Sequence, residues 1–254
     1  MKLRVLGASG AELPGKHSPA FLIDNELLLD AGTIGAVLNE DEQYAIRHIL
    51  ISHAHLDHIK SIPSLADNIV MKNMDHTVLI QSIEPVIKAL MDHLLNDLIW
   101  PDFTKIPTEE NPVYKINTIE VEHPFEVNGY TVTAYNVNHT IPAIGYVIED
   151  SEGRRLLYTG DTGSTDDIWR ATSKPIHAAI IEVSMPNSME EMAVMTKHLT
   201  ASLLAKEVRK MDNVPQMIYI THPKPQYLDT IIKEINELGL KGVRLLEDGE
   251  EFNI

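Results

Sequence analysis

The chain has 254 residues, 44% of them hydrophobic, enough apolar material for a large core in one α/β domain. Against 21 basic residues stand 37 acidic ones, a net charge of −16, so a long nucleic acid meets general repulsion and a small anionic substrate is easier to accommodate. The absence of cysteine excludes disulfides, thiolate ligands and a cysteine nucleophile; with no apolar stretch long enough for a signal or a membrane span, a soluble cytoplasmic protein is expected.

In chain order, Lys2 to Leu6 alternate as a short strand and run into a Gly7-Ala8-Ser9-Gly10 turn. Ala20 to Ile23 and Leu27 to Asp30 form a hairpin around the turn-forming pair Asp24-Asn25. Asp30-Ala31-Gly32 reads either as an Asx turn or as a carboxylate that orients a metal-binding histidine. A helix is expected over Glu40 to Arg47, then a buried strand ending near His53, and a helix between Ile59 and Ile69. Val86, Ile87, Leu90, Leu94, Leu95 and Leu98 recur at helical spacing, which predicts a helix over Glu84 to Ile99, ended by Trp100-Pro101. Residues 102 to 115 read as an irregular cover, so that about 81–115 would be a lid or a subunit contact, with Trp100 and Phe103 available for base stacking or for apolar packing.

The second half is richer in strands: Ile116 to Val121, Phe125 to Val127, Tyr130 to Val137, Ile144 to Ile148, Arg155 to Tyr158, Ala178 to Glu182, Met217 to Ile220 and Val243 to Leu246. Helices are expected over Ala201 to Lys210 and near Tyr227 to Leu238.

The chemistry concentrates in Ser52-His53-Ala54-His55-Leu56-Asp57-His58, three imidazoles and a carboxylate on a loop after a strand. Neutral imidazole and carboxylate oxygen are ligands that zinc and similar divalent ions accept. His139, Asp161 in Thr159-Gly160-Asp161-Thr162-Gly163, and His222 each follow another predicted strand. Two packed sheets would bring His53, His55, Asp57, His58, His139, Asp161 and His222 to one edge. These are too many ligands for one zinc, and they suit two ions sharing a bridging carboxylate.

The order HAHLDH, His139, TGD and THP resembles the metallo-β-lactamase superfamily over essentially the whole chain. The resemblance implies an αββα sandwich: a single domain over 1–254, with two mixed β-sheets face to face and helices outside. It implies that His53, His55 and His139 hold one divalent metal, that Asp57, His58 and His222 hold the other, that Asp161 bridges them, and that Asp30 orients a ligand. Zn²⁺ is the expected ion, with Mn²⁺ or Fe²⁺ accepting the same donors. Glu182 and His198 look like the carboxylate–histidine pair beside the metals of ribonuclease Z-type phosphodiesterases; Asp57, Glu182 and His198 are then the catalytic candidates, with His198 protonating a poor leaving group.

Two features separate this chain from ribonuclease Z. His139 and Asp161 are too close in sequence for a long tRNA-clamping arm, and Ile99-Trp100-Pro101 resembles a segment of class II cyclic-nucleotide phosphodiesterases. The resulting expectation is hydrolysis of 3′,5′-cyclic nucleotides such as cyclic AMP by a cytoplasmic enzyme that needs neither long nucleic acid nor membrane and is open to homodimerisation. The alternatives are a hydrolase of another small ester, lactone or phosphodiester, an RNA-processing enzyme, and a metal-retaining sensor.

Overall fold

The computed structural model describes residues 1–72 and 76–254. The first part of the chain forms β1 (Lys2–Gly7), β2 (Ala20–Ile23), β3 (Leu27–Leu29), α1 (Glu40–Ala45), β4 (His48–Leu50), α2 (Leu56–Ile59), α3 (Ile62–Lys72), β5 (Val78–Ser82), α4 (Glu84–His93) and β6 (Tyr114–Thr118). The second part forms β7 (Phe125–Val127), β8 (Tyr130–Asn136), β9 (Ile144–Glu149), β10 (Arg155–Tyr158), β11 (Ala178–Glu182), α5 (Glu190–Thr196), α6 (Ala201–Val208), β12 (Met217–Thr221), α7 (Leu228–Glu237), β13 (Val243–Leu245) and β14 (Glu251–Asn253). Among the described residues the strands make two sheets, ordered β14-β1-β2-β3-β4-β5-β6 and β13-β12-β11-β10-β9-β8-β7.

Side-chain alternation explains the layering. Successive residues of a strand point to opposite faces, and in β3 Leu27 and Leu29 enter the core between the sheets while Leu28 enters the core under the first group of helices. Likewise Ala178 and Ile180 of β11 face the first sheet, and Ala179 and Ile181 face α6 and α7 through Leu203, Leu204, Ile231 and Ile235. A strand covered on both faces reads as a continuous apolar run rather than as an alternating one. That is why AFLI, LLL and AAIIE are buried throughout. At about 1.5–3 kcal/mol for each large aliphatic side chain buried, these three layers of core hold the αββα sandwich expected from the sequence.

Several local expectations shift. The helix after Glu84 stops at His93 rather than Ile99, because the Asn96 side chain accepts the N–H groups of Leu98 and Ile99 and Asp97 takes a left-handed backbone with φ 61°. The stretch 102–115 is not all irregular cover: Val113 and Tyr114 are buried and Tyr114 begins β6, which pairs with β5. Phe103 is also buried, edge-on to Tyr114 with ring centroids 6.5 Å apart, and Trp100 packs against the same core, so Phe103 is not available to stack a base. β5 was not expected, since a short apolar run such as VLI carries no period that separates strand from helix. The closing strand is β14, not β13; its sequence EFN is recruited by backbone pairing with β1. The Asp24-Asn25 turn is as expected, with positive φ at both residues joining β2 and β3. Among the described residues no helix is long and apolar enough to cross a membrane.

Candidate metal centre

Strand direction gathers the polar groups. β3 and β4 are parallel in the first sheet, and β10, β11 and β12 are parallel in the second. β8 is antiparallel to β9, which is antiparallel to β10, so β8 runs with β10. The loops after all these strand ends therefore leave from one edge. Bonds between the sheets hold the two edges in register there: Ile144 N donates to Ser52 O at 3.0 Å, the Tyr146 hydroxyl to Ile51 O at 2.8 Å, and the Tyr158 hydroxyl to Asp30.

At this edge the donor atoms of His53, His55, His139 and Asp161 lie within 4.8 Å of one another, as do those of Asp57, His58 and His222. Asp161 stands between the groups, with Oδ1 3.4 Å from His58 Nε2, and Oδ2 3.3 Å from His222 Nε2 and 3.8 Å from His53 Nε2. All seven metal-ligand candidates read from the sequence are thus brought together. Two turns make this approach possible. Gly160, at φ +58°, lies so close to Ser52 that an added Cβ would sit 2.7 Å from its Cβ, and a Cβ on Gly10 would sit 2.7 Å from His222 Nδ1. His222 itself has φ 63°, a costly backbone state held by its N–H to Ala8 O at 2.6 Å.

The donor set fits divalent cations. His58 donates from Nδ1 to Asp30 at 2.8 Å, leaving Nε2 buried with no hydrogen-bond partner and facing the cluster. His139 donates from Nδ1 to Lys197 O at 3.0 Å, and His53 Nδ1 contacts Ser52 Oγ at 3.0 Å. Outward nitrogens held by protein groups leave the inward nitrogens free to ligate. The inward nitrogens crowd: His55 Nδ1 is 3.1 Å from Nε2 of both His53 and His139. Asp30 also accepts from Ser52 N at 2.7 Å, which makes it an orienting carboxylate rather than an ordinary Asx turn.

Electrostatics favour the neutral ring at three of the histidines. Burial pushes His53, His55 and His139 below their ordinary range, toward the neutral form that a metal needs. Burial opposes charge on His58 too, but Asp161 and Asp30 outweigh it and raise that group. Burial would raise Asp57 and Asp161; the surrounding histidines, His222 and His58 foremost, hold both carboxyls low.

Beside the cluster, His198 donates from Nδ1 to Glu182 Oε1 at 2.7 Å, and its ring lies 5.1 Å from that of His139 and 5.4 Å from that of His222. Burial works against its charge, yet Glu182 prevails and the imidazole is pushed up to about 9. Glu182 is fully buried and also accepts Thr162 N at 3.0 Å and Leu199 N at 3.3 Å. Sequence reasoning missed Ser184, whose hydroxyl touches Glu182, His198 and His222. The signal was present, because residues 182 and 184 of an extended chain share a face.

Such a cluster at the edge of an αββα sandwich defines a metallo-β-lactamase fold protein. Residues 28–222 match the model of the β-lactamase superfamily domain, and the chain belongs to that family. Among its relatives, a probable 3′,5′-cyclic-nucleotide phosphodiesterase of Yersinia pestis is 24% identical over 239 residues, covering 81% of this chain and 67% of the relative. A ribonuclease Z of Lachnoclostridium phytofermentans is 32% identical over 163 residues, covering 60% of this chain and only half of the relative. The metallo-β-lactamase fold protein YhfI from Bacillus subtilis superposes with a TM-score of 0.76 at 19% identity, covering 99% of each chain.

Proposed function

We propose that this protein is a metal-dependent phosphodiesterase that opens 3′,5′-cyclic nucleotides to 5′-nucleotides. His53, His55 and His139 would hold one divalent ion, Asp57, His58 and His222 a second, and Asp161 would contact both. When bound, such ions supply a water nucleophile at neutral pH and polarise the phosphoryl oxygens. The observation that carries the phosphodiester reading is the buried Glu182–His198 pair. With Nδ1 committed to Glu182, His198 has Nε2 left to face a substrate, and Glu182 stabilises the imidazolium. As the bond from phosphorus to the 3′ oxygen breaks, that oxygen takes a proton from His198; an alkoxide departing without one is a poor leaving group. Asp57, its Oδ2 3.3 Å from His222 Nε2 and partly open to solvent, would steady the attacking water.

A small substrate is favoured over RNA by the charge of −16 and by the connection between His139 and Asp161, where β9 and β10 are joined by a tight turn at Asp150–Gly153 rather than by an arm. The cyclic-nucleotide relative in Yersinia pestis supports the same choice. The whole chain would then act as one catalytic domain, with Leu98 and Ile99, both exposed beyond α4, as the place for a lid or a homodimer contact. One observation favours a second reading, action on RNA: the higher identity to a ribonuclease Z. Purified protein loaded with Zn²⁺ or Mn²⁺ and assayed side by side on cyclic AMP, cyclic GMP, a precursor tRNA and a lactone tests both. Turnover of the cyclic nucleotides is expected, and cleavage of tRNA alone would overturn the proposal.

A further inference from the structure

Ser184 is fully buried, two residues beyond Glu182 on the chain leaving β11. Its oxygen stands 2.8 Å from Glu182 Oε2, 2.8 Å from His222 Nδ1 and 3.2 Å from His198 Nδ1. A hydroxyl has one proton to donate and two lone pairs with which to accept. Both oxygens of Glu182 already accept N–H groups, Thr162 and His198 at Oε1 and Leu199 at Oε2. With the carboxylate accepting throughout, the hydroxyl proton of Ser184 points to Oε2. Its oxygen then meets His222 Nδ1 with a lone pair, so Nδ1 of that ring has to carry a proton.

We infer that Ser184 is a positioning residue: with a cation bound, it holds His222 as the Nδ1–H tautomer whose Nε2 lone pair is free to ligate between Asp57 and Asp161, and it links that ring to the Glu182–His198 pair through one hydroxyl. The inference rests on reading the cluster as a metal centre. Its parallel lies across the site, where Asp30 takes the Nδ1 proton of His58. There the acceptor is a carboxylate; here it is a hydroxyl passing its own proton to one. The Ser184 hydroxyl thus ties the orientation of a metal-ligand candidate to that of the proton donor.

Two measurements test this. In competition with a chromophoric Zn²⁺ chelator, wild type is expected to bind two ions. Ser184→Ala should weaken one of the two steps by roughly ten- to a hundred-fold, and Ser184→Thr, which keeps the hydroxyl, should restore it. In ¹⁵N-histidine-labelled, zinc-loaded wild type, His222 should show a slowly exchanging proton on Nδ1, which needs no variant to fold. Wild-type affinity at both steps in Ser184→Ala, or an unprotonated His222 Nδ1, would overturn the positioning role while leaving the metal centre standing. Wild type that takes up no zinc would overturn both.

Discussion

His53, His55, Asp57 and His58 share the segment after β4, the last two on the helical turn α2, whereas His139, Asp161 and His222 arrive on three separate connections of the second sheet and Glu182 and His198 on a fourth. The first group is held by one local bond, His58 N to His55 O at 2.9 Å, and by the neighbouring segment after β3, where Ala31 N donates to His58 O at 2.7 Å and Asp30 accepts from Ser52 N and His58 Nδ1. The second group is shaped by side chains meeting across the fold, through Glu182, Ser184 and the Lys197 carbonyl. A short motif can be read along the chain, but a network built from four connections becomes visible only when the strands are in place.

The largest effect is expected where the two groups meet. Asp161→Ala should cost at least one metal ion per chain by elemental analysis, since Asp161 approaches His53, His58 and His222 together; unchanged metal content would separate the halves. Within the second group, His198→Ala should keep near-wild-type metal content yet slow cyclic AMP hydrolysis by about 10²–10⁴-fold, the ordinary worth of a general acid. Loss on a nitrophenyl phosphodiester, whose leaving group needs no proton, should be far smaller, and equal losses would remove the acid role. Within the first group, Asp30→Asn should weaken metal binding by roughly ten- to a hundred-fold, because His58 loses the carboxylate that turns it. Zinc titration that matches wild type would mean the local backbone alone suffices.

The smallest effect lies outside both groups. His76 is buried, accepts from Arg47 at Nδ1 (2.7 Å) and donates from Nε2 to Ile46 O (2.9 Å), a pattern only the neutral ring can make. Burial, then Arg47, lower its pKa below the ordinary 6.5. The unfolded chain therefore takes up the proton first, and the stability present above about pH 6.5 is lost as pH falls toward the folded value. Thermal unfolding from pH 7.5 to 5 should show a shallower acid loss in His76→Gln than in wild type; parallel slopes would contradict it.

Legibility followed the range of the forces. Buried strands were readable because apolar runs such as LLLD, HILI and AAIIE announce strands covered on both faces, while the αββα layering came from the resemblance carried by HAHLDH, whose donor atoms lie within six residues. β5, β14 and the early end of α4 were not, since strand pairing and the Asn96 side chain outweigh local propensity there.

The amino-acid order alone determined which donors exist and that each follows a strand, because residue type and two-residue alternation are local properties. Which nitrogen of each ring faces inward, the place of Asp161 between the two clusters and the role of Ser184 were decided only by tertiary structure. Hydrogen bonds act over about 3 Å, and no spacing along the chain tells which distant groups the packing of two sheets will bring within that reach.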